Sequence, residues 1–378
     1  MKKVKLGDVC KIQSGGTPSR GNLNYWNNGN IPWVKISDIK EKHLSRTEEF
    51  ITQEGLANSS AKIFPKETIL YTIFATLGEV SILEIEATTN QAIAGLQIID
   101  ENICKDYLYY YLISLKPFVN EIGRGVAQNN INMQILRNFE IPLPSLEEQK
   151  AIARKLDKVS GLIEKRKTQL EKLSELVKSR FIEMFESGNY PVCRLGDVCS
   201  KITDGTHKTP NYLDAGVTFI SAKNIVNGEL DFSDVKYISD QEYAEIQKRC
   251  QTEMGDILLS KSGSLGAPVI VKTTERIGLF ESLAVIKYDR SKLLPAFLCE
   301  QLKSDRIQRQ FKVGTKGVAI KHLHLGVIAD TDIVVPPIED QNAFATFVEQ
   351  VDKSKFEIQK SLEKLEILKK SLMQKYFG

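Results

Sequence analysis

The chain has 378 residues, enough for two or three domains, and its 42% hydrophobic and 26% charged residues are the proportions of a globular protein. A formal net charge of +3 gives no bulk argument for a nucleic-acid partner: residues 1–144 hold 15 basic and 15 acidic groups, and residues 188–336 hold 19 and 18. No apolar run approaches the roughly 18 residues of a membrane span, and Met1-Lys2-Lys3 leads into a domain without an apolar signal region, so no membrane contact and a cytoplasmic location are expected.

In chain order, Leu6-Gly7-Asp8-Val9-Cys10 opens a segment that returns 189 positions later as Leu195-Gly196-Asp197-Val198-Cys199. Gly15-Gly16-Thr17-Pro18 and Asn27-Asn28-Gly29-Asn30 read as loops. Ile31–Val34, Thr68–Thr72 and Glu79–Leu83 read as strands, being rich in β-branched and aromatic residues. Asp106–Ile113 reads as a short helix with Pro117 near its end, and the whole of residues 1–144 as a mixed α/β head.

Ile141-Pro142-Leu143-Pro144 is a rigid exit, and Ser145 can N-cap a helix with Glu147 and Glu148 in its first turn. From there Ile152, Leu156, Val159, Ile163, Leu170, Leu173, Val177, Phe181 and Met184 recur mostly at alternating spacings of four and three, a coiled-coil seam interrupted at Arg166. The expected helix covers residues 145–187, and Gly188 can end it.

A second head spans 188–336 and a second long helix 337–378, with the seam Phe344, Val348, Val351, Ile358, Leu362, Leu365, Leu372 and Tyr376 interrupted at Lys355 and Lys369. Two striped helices in one chain most simply pair with each other, antiparallel; the competing reading folds each onto its own head. Lys165-Arg166-Lys167 reads as a solvated face. A duplicated unit predicts two similar, non-identical heads and suits a target with two different halves, for which duplex DNA is the candidate.

Chemistry is sparse. The only Pro-Pro, in Val335-Pro336-Pro337-Ile338, lacks the polar and aromatic ends of a base-holding methyltransferase loop. No Gly-Lys dipeptide occurs, which removes a Walker A loop, and neither G-x-S-x-G nor H-E-x-x-H is present. The six Cys have no zinc spacing and read as reduced, packed thiols. No catalytic residue and no metal ligand is assigned.

The polar loops are the better candidates. Arg124, Gln128, Asn129 and Asn130 carry groups that pair bidentately with guanine or adenine edges. The corresponding stretch of the second copy holds Lys316, Lys321, His322 and His324 and differs, as heads reading different sequences should. Thr17, Ser19 and Arg20, with Thr206, His207 and Lys208, and the lysines Lys35, Lys223 and Lys261, are candidate phosphate or base contacts. Plainer readings stand beside each: Gly-Gly-Thr-Pro can be a turn alone, Trp33 and Phe219 can be core, and His322 with His324 can be an ordinary loop pair.

These segments resemble the specificity subunits of type I restriction–modification systems. The first copy carries Ser14-Gly15-Gly16-Thr17-Pro18-Ser19, Tyr25-Trp26, Gly29-Asn30-Ile31-Pro32-Trp33-Val34 and Asp38-Ile39. The second carries Asp204-Gly205-Thr206-His207-Lys208-Thr209-Pro210, Tyr212, Gly216-Val217-Thr218-Phe219-Ile220 and Lys223-Asn224-Ile225. The exits Pro144-Ser145-Leu146-Glu147-Glu148-Gln149 and, less closely, Pro337-Ile338-Glu339-Asp340-Gln341 resemble the family's helix start. The resemblance implies two α/β target recognition domains joined by two long antiparallel helices, in a non-catalytic subunit that reads a bipartite site on double-stranded DNA. It implies two adenine-N6 methyltransferase subunits and translocating endonuclease subunits as partners, with S-adenosylmethionine, ATP and magnesium used there and no cofactor here. A specificity partner of a fused restriction–methylation enzyme is the alternative. A self-sufficient enzyme and a repeat scaffold without a DNA role are the more distant rivals.

Overall fold

A computed structural model describes residues 2–124, 130–186, 188, 190–226, 228–314 and 322–378; the side chains of 122–124 lie outside the description. The chain divides into two compact units, one formed by Met1–Lys167 with Lys360–Gly378 and the other by Thr168–Gln359.

In the first unit a five-stranded sheet has the order Cys10–Ser14, Ile93–Ile98, Ile69–Thr72, Val80–Leu83, His43–Leu44. The central strands are buried throughout, and their side chains alternate between two cores, as the two-residue period of a strand requires. Ile69 and Tyr71 join the core that holds the helix Lys105–Ser114, while Leu70 joins the core with Val34 and Phe64. That helix matches the expected Asp106–Ile113 with one residue added at each end. It buries six consecutive residues, Tyr107 to Leu112, because it is covered on all sides. Its tyrosine hydroxyls donate outward, Tyr107 to the Pro142 carbonyl (2.8 Å) and Tyr110 to Asp157 (2.6 Å). A second sheet has the order Glu49–Ile51, Ile31–Val34, Thr88–Thr89.

The second unit repeats the plan. Its larger sheet runs Cys199–Asp204, Leu283–Tyr288, Ile257–Ser260, Pro268–Ile270, and its smaller one Lys236–Ile238, Val217–Ile220, Ile277–Leu279. Each head is closed in the same way. Lys3–Lys5 pairs antiparallel with Glu140–Pro142, and Val192–Arg194 with Asp332–Val334, so the strand that opens a head is zipped to the one that leaves it.

The long helices are Leu146–Phe181 and Ile338–Phe377. The first opens with a capping box: Glu148 N–H donates to Ser145 Oγ (3.3 Å), and the Glu148 carboxylate accepts from Ser145 N–H (2.9 Å). Its α-helical part ends at Phe181, earlier than the expected 187, and the chain continues as one π-helical turn, Ile182–Glu186. There Phe181 and Phe185 are both held against Phe297 and Phe344, with ring centroids 4.7–5.7 Å apart. The seam expected from the spacing is the buried stripe: Leu156, Val159, Ile163, Val177 and Phe181 of the first helix are buried, as are Phe344, Val351 and Leu362 of the second. Within the first unit Leu156 shares a core with Leu372, Met373 and Phe377. Within the second, Val177 and Phe181 share one with Phe344 and Val351. The start of each helix therefore lies with the end of the other, an antiparallel pairing.

One buried side chain fixes each helix to its head. Gln149 accepts from Cys104 N–H (2.9 Å) and donates to the carbonyls of Asn102 (2.9 Å) and Pro144 (3.0 Å). Gln341 repeats this with Leu294 N–H (2.9 Å) and the carbonyls of Lys292 (2.8 Å) and Pro336 (2.9 Å). An unpaired buried polar group costs about 1–3 kcal/mol. Gln149→Leu or Gln341→Leu removes the partner of three backbone groups at once, so each variant is expected to lose about 1–3 kcal/mol of stability in urea unfolding. A loss below about 0.5 kcal/mol, the range of an ordinary surface substitution, would show that these glutamines do not fix the helices to their heads.

Candidate nucleic-acid interface

The two heads share a backbone frame at the mouth of the larger sheet. Gly15 N–H donates to the Ile93 carbonyl (3.0 Å) and Gly205 N–H to that of Leu283 (3.3 Å). Gly16 N–H donates to the Thr89 carbonyl (2.9 Å) and Thr206 N–H to that of Leu279 (2.9 Å). Past the central strand, Ile73 N–H reaches the Ala92 carbonyl (2.9 Å) and Lys261 N–H that of Ser282 (2.7 Å). Ile131 N–H and Leu323 N–H then donate to the carbonyls of Ile73 (2.9 Å) and Lys261 (2.8 Å). Gly15 and Gly205 are glycines for a steric reason: a Cβ on either would collide with the strand end that the loop crosses.

These four matched bonds put side chains in register. Ser14 corresponds to Asp204, Thr17 to His207, Ile73 to Lys261, Gln91 to Glu281 and Asn130 to His322. In the first head the set is neutral, and Thr17 Oγ1 donates to Gln91 Oε1. In the second it is charged. Asp204 is ion-paired to Lys261, each with a side chain only 3% exposed, and also to Arg249. His207 places Nδ1 2.7 Å from the Glu281 carboxylate and Nε2 3.3 Å from that of Asp204. Burial alone would raise the Asp204 carboxyl, but Lys261, Arg249 and His207 outweigh it and hold it below the usual range. Burial, followed by the Lys261 charge, pushes the His322 imidazole below its usual value, so it is neutral near pH 7.

The other expected residues fall in several places. In the first head Trp33 Nε1 donates to the Gly16 carbonyl (3.0 Å), pinning the loop, and Trp26 meets Trp33 edge-on with centroids 5.0 Å apart. Arg20 lies over Trp26 at 3.7 Å and pairs with Glu49. Lys35 joins the same carboxylate (3.2 Å) and Glu48 (2.8 Å), whose hydrogen bonds raise its ammonium above the ordinary lysine value. Ser19 contributes its carbonyl to Trp26 Nε1 (3.1 Å). Asn130 bridges antiparallel to Phe74.

In the second head Thr206 Oγ1 accepts from Lys208 N–H (3.1 Å), Lys208 is exposed, and Lys223 pairs with Asp234 (3.1 Å). His324 begins the helix Leu325–Ala329, its ring 5.7 Å from that of His322. Lys261 departs from the surface contact expected of it: its ammonium is inside the head and already held by Asp204. Trp33 and Phe219 are core, the plainer of their two readings. Arg124 ends the helix Lys116–Arg124, its side chain outside the description, and Gln128, Asn129, Lys316 and Lys321 lie outside the described residues.

Sequence reasoning missed Asp204, Arg249, Gln91 and Glu281 as members of the set. The signal for the last two was present, since Gln91-Ala92 aligns with Glu281-Ser282 in the same offset that aligns Gly15 with Gly205.

A family described as the type I restriction modification DNA specificity domain matches residues 1–174 and again 188–369. The type I restriction enzyme MjaIX specificity subunit of Methanocaldococcus jannaschii is 28% identical over 99% of this chain and 91% of its own length. The EcoBI specificity subunit of Escherichia coli is 23% identical over 99% and 85%. Among solved structures, the S subunit of the type I restriction–modification system from M. genitalium superposes with a TM-score of 0.57 at 16% identity, covering 100% of this chain and 96% of that one, which shows a shared fold.

Breaking a buried ion pair costs about 3–5 kcal/mol because it strands a charge, whereas replacing both partners together is often neutral or stabilising. The first head supplies the replacements. Asp204→Ser or Lys261→Ile alone is expected to destabilise by about 3–5 kcal/mol, and the double variant to recover most of that loss. Urea unfolding of the four proteins closes the cycle; simple additivity of the two single losses would show that the pair is not coupled.

Proposed function

This chain belongs to the type I restriction–modification DNA specificity family, and from that premise we propose that it reads a bipartite, asymmetric site on double-stranded DNA, one half with each head. The proposal extends to a platform for two DNA adenine-N6 methyltransferase subunits and the translocating endonuclease subunits. S-adenosylmethionine, ATP and magnesium then act in those partners, and this chain supplies no catalytic group. One observation carries the reading: a constant backbone frame, fixed by four matched hydrogen bonds, holds a neutral side-chain set in one head and a charged set in the other. Reading two different half-sites needs that combination, since the frame sets the approach and the side chains face different base edges. Among the described residues no helix is long and apolar enough to cross a membrane, which fits a partner in solution.

Exchange of residues 188–336 for the corresponding head of a relative is expected to change one half of the methylated site and leave the other half intact. Sequencing of methylated adenines in DNA from cells carrying the complete system reads both halves at once. A change in both halves, or in neither, would overturn independent reading. The purified chain alone is expected to transfer no methyl group from S-adenosylmethionine to DNA, and turnover by it would return a catalytic role to the chain.

A further inference from the structure

The charged set of the second head has a sealed part and an open part. Asp204 and Lys261 are shut inside, and Asp204 holds His207 Nε2 from below. His207 and Glu281 remain open, with side chains 52% and 34% exposed. They are also fixed in place: Glu281 N–H donates to the Thr206 carbonyl (3.0 Å), and the Glu281 carboxylate holds His207 Nδ1 at 2.7 Å. In the first head the same two positions hold Thr17 and Gln91, hydrogen-bonded to each other.

The two pairs have opposite polarity. Thr17 donates to the Gln91 amide oxygen, and that amide also carries two N–H donors, which a carboxylate lacks. An ionised carboxylate has only acceptors, and His207 uses only part of the capacity of Glu281. In the major groove, carboxylates accept from cytosine N4, whereas donors seek guanine O6 and N7, thymine O4 or adenine N7. A carboxylate facing a base acceptor or a phosphate is repelled, so it rejects wrong sequences as well as accepting the right one.

We propose that Glu281, held by His207, discriminates bases in the second half-site by selecting an edge with an exocyclic amino donor, cytosine above all, and that Gln91, held by Thr17, selects an acceptor edge at the matching place in the first half-site. The proposal rests on the two-headed DNA-reading function and adds residues and polarity to it. The buried Asp204–Lys261 pair is a positioning element beneath it, which has no counterpart under Gln91, where Ser14 and Ile73 stand.

The test uses the full chain assembled with its methyltransferase subunits and a pool of random-sequence duplexes from which bound molecules are selected and sequenced. Glu281→Gln, and Glu281→Gln with His207→Thr, place the first head's chemistry in the second head. Both variants are expected to lose preference for the amino-bearing base at one position of one half-site by about tenfold or more, within the range of a bidentate base contact. The other half-site stays unchanged, and so does the melting temperature of the near-isosteric single variant. Gln91→Glu is expected to act reciprocally, in the other half only. Unchanged base preferences in the folded variants would overturn the assignment. A uniform loss of affinity across all sequences would also overturn it, placing the pair on the phosphate backbone. If the wild-type assembly selects no bipartite sequence, the DNA-reading function itself falls, a result distinct from either of these.

Discussion

The buried glutamine at the start of each long helix is the constraint on which the rest depends. Gln149 and Gln341 are themselves buried, and each satisfies one backbone N–H and two carbonyls of its head. In the same place the first and last strands of each head are zipped together. Glutamine suits this position because one amide both donates and accepts; leucine would fill the space and leave the backbone groups stranded. The helix is thus a continuation of the head, with its direction set by hydrogen bonds, and its apolar stripe only needs a partner stripe to complete the fold.

With the frame held by backbone bonds and core packing, the side chains set on it can differ between the heads. Ser14 and Ile73 in one head, and Asp204 and Lys261 in the other, occupy the same positions without altering the four bonds around them. The exchange makes physical sense only as a pair, since a lone aspartate beside Ile73, or a lone lysine beside Ser14, would bury an uncompensated charge. Divergence of such a head therefore proceeds by correlated substitutions on a fixed scaffold, and the charged version creates a local field that the neutral version lacks. Within the charged set Asp204 and Glu281 anchor His207, while burial first and the Lys261 charge second shift His322 toward its neutral form.

Much of this was legible in the sequence. Richness in β-branched and aromatic residues made Ile31–Val34 and the central strands readable, and the four-and-three spacing from Ile152 onward located the seam that is buried. The repeat itself predicted two heads. Side-chain function was harder. Lys261 reads as a surface cation because its compensating partner, Asp204, is 57 residues away, and burial of a charge cannot be inferred from one member of a pair. Gln91 and Glu281 fall between recognisable motifs, and only the strand register brings them against Thr17 and His207. The early end of the first helix depends on Phe297 and Phe344, which lie far along the chain.

The near-zero charge of each head also acquires a physical meaning. Arg20, Lys35 and Lys223, cations that could bind phosphate, are held by Glu49, Glu48 and Asp234. Exposed pairs of this kind are worth about 0–1 kcal/mol, so a phosphate oxygen can replace the carboxylate at little cost, while in the free protein these three cations are screened. Cations held in this way add little to non-specific affinity, which comes from phosphate neutralisation. Discrimination then falls to the groups that meet base edges, where a donor aimed at an acceptor gains and two acceptors facing each other lose. A neutral head with a polarised mouth fits a protein whose task is to choose a sequence.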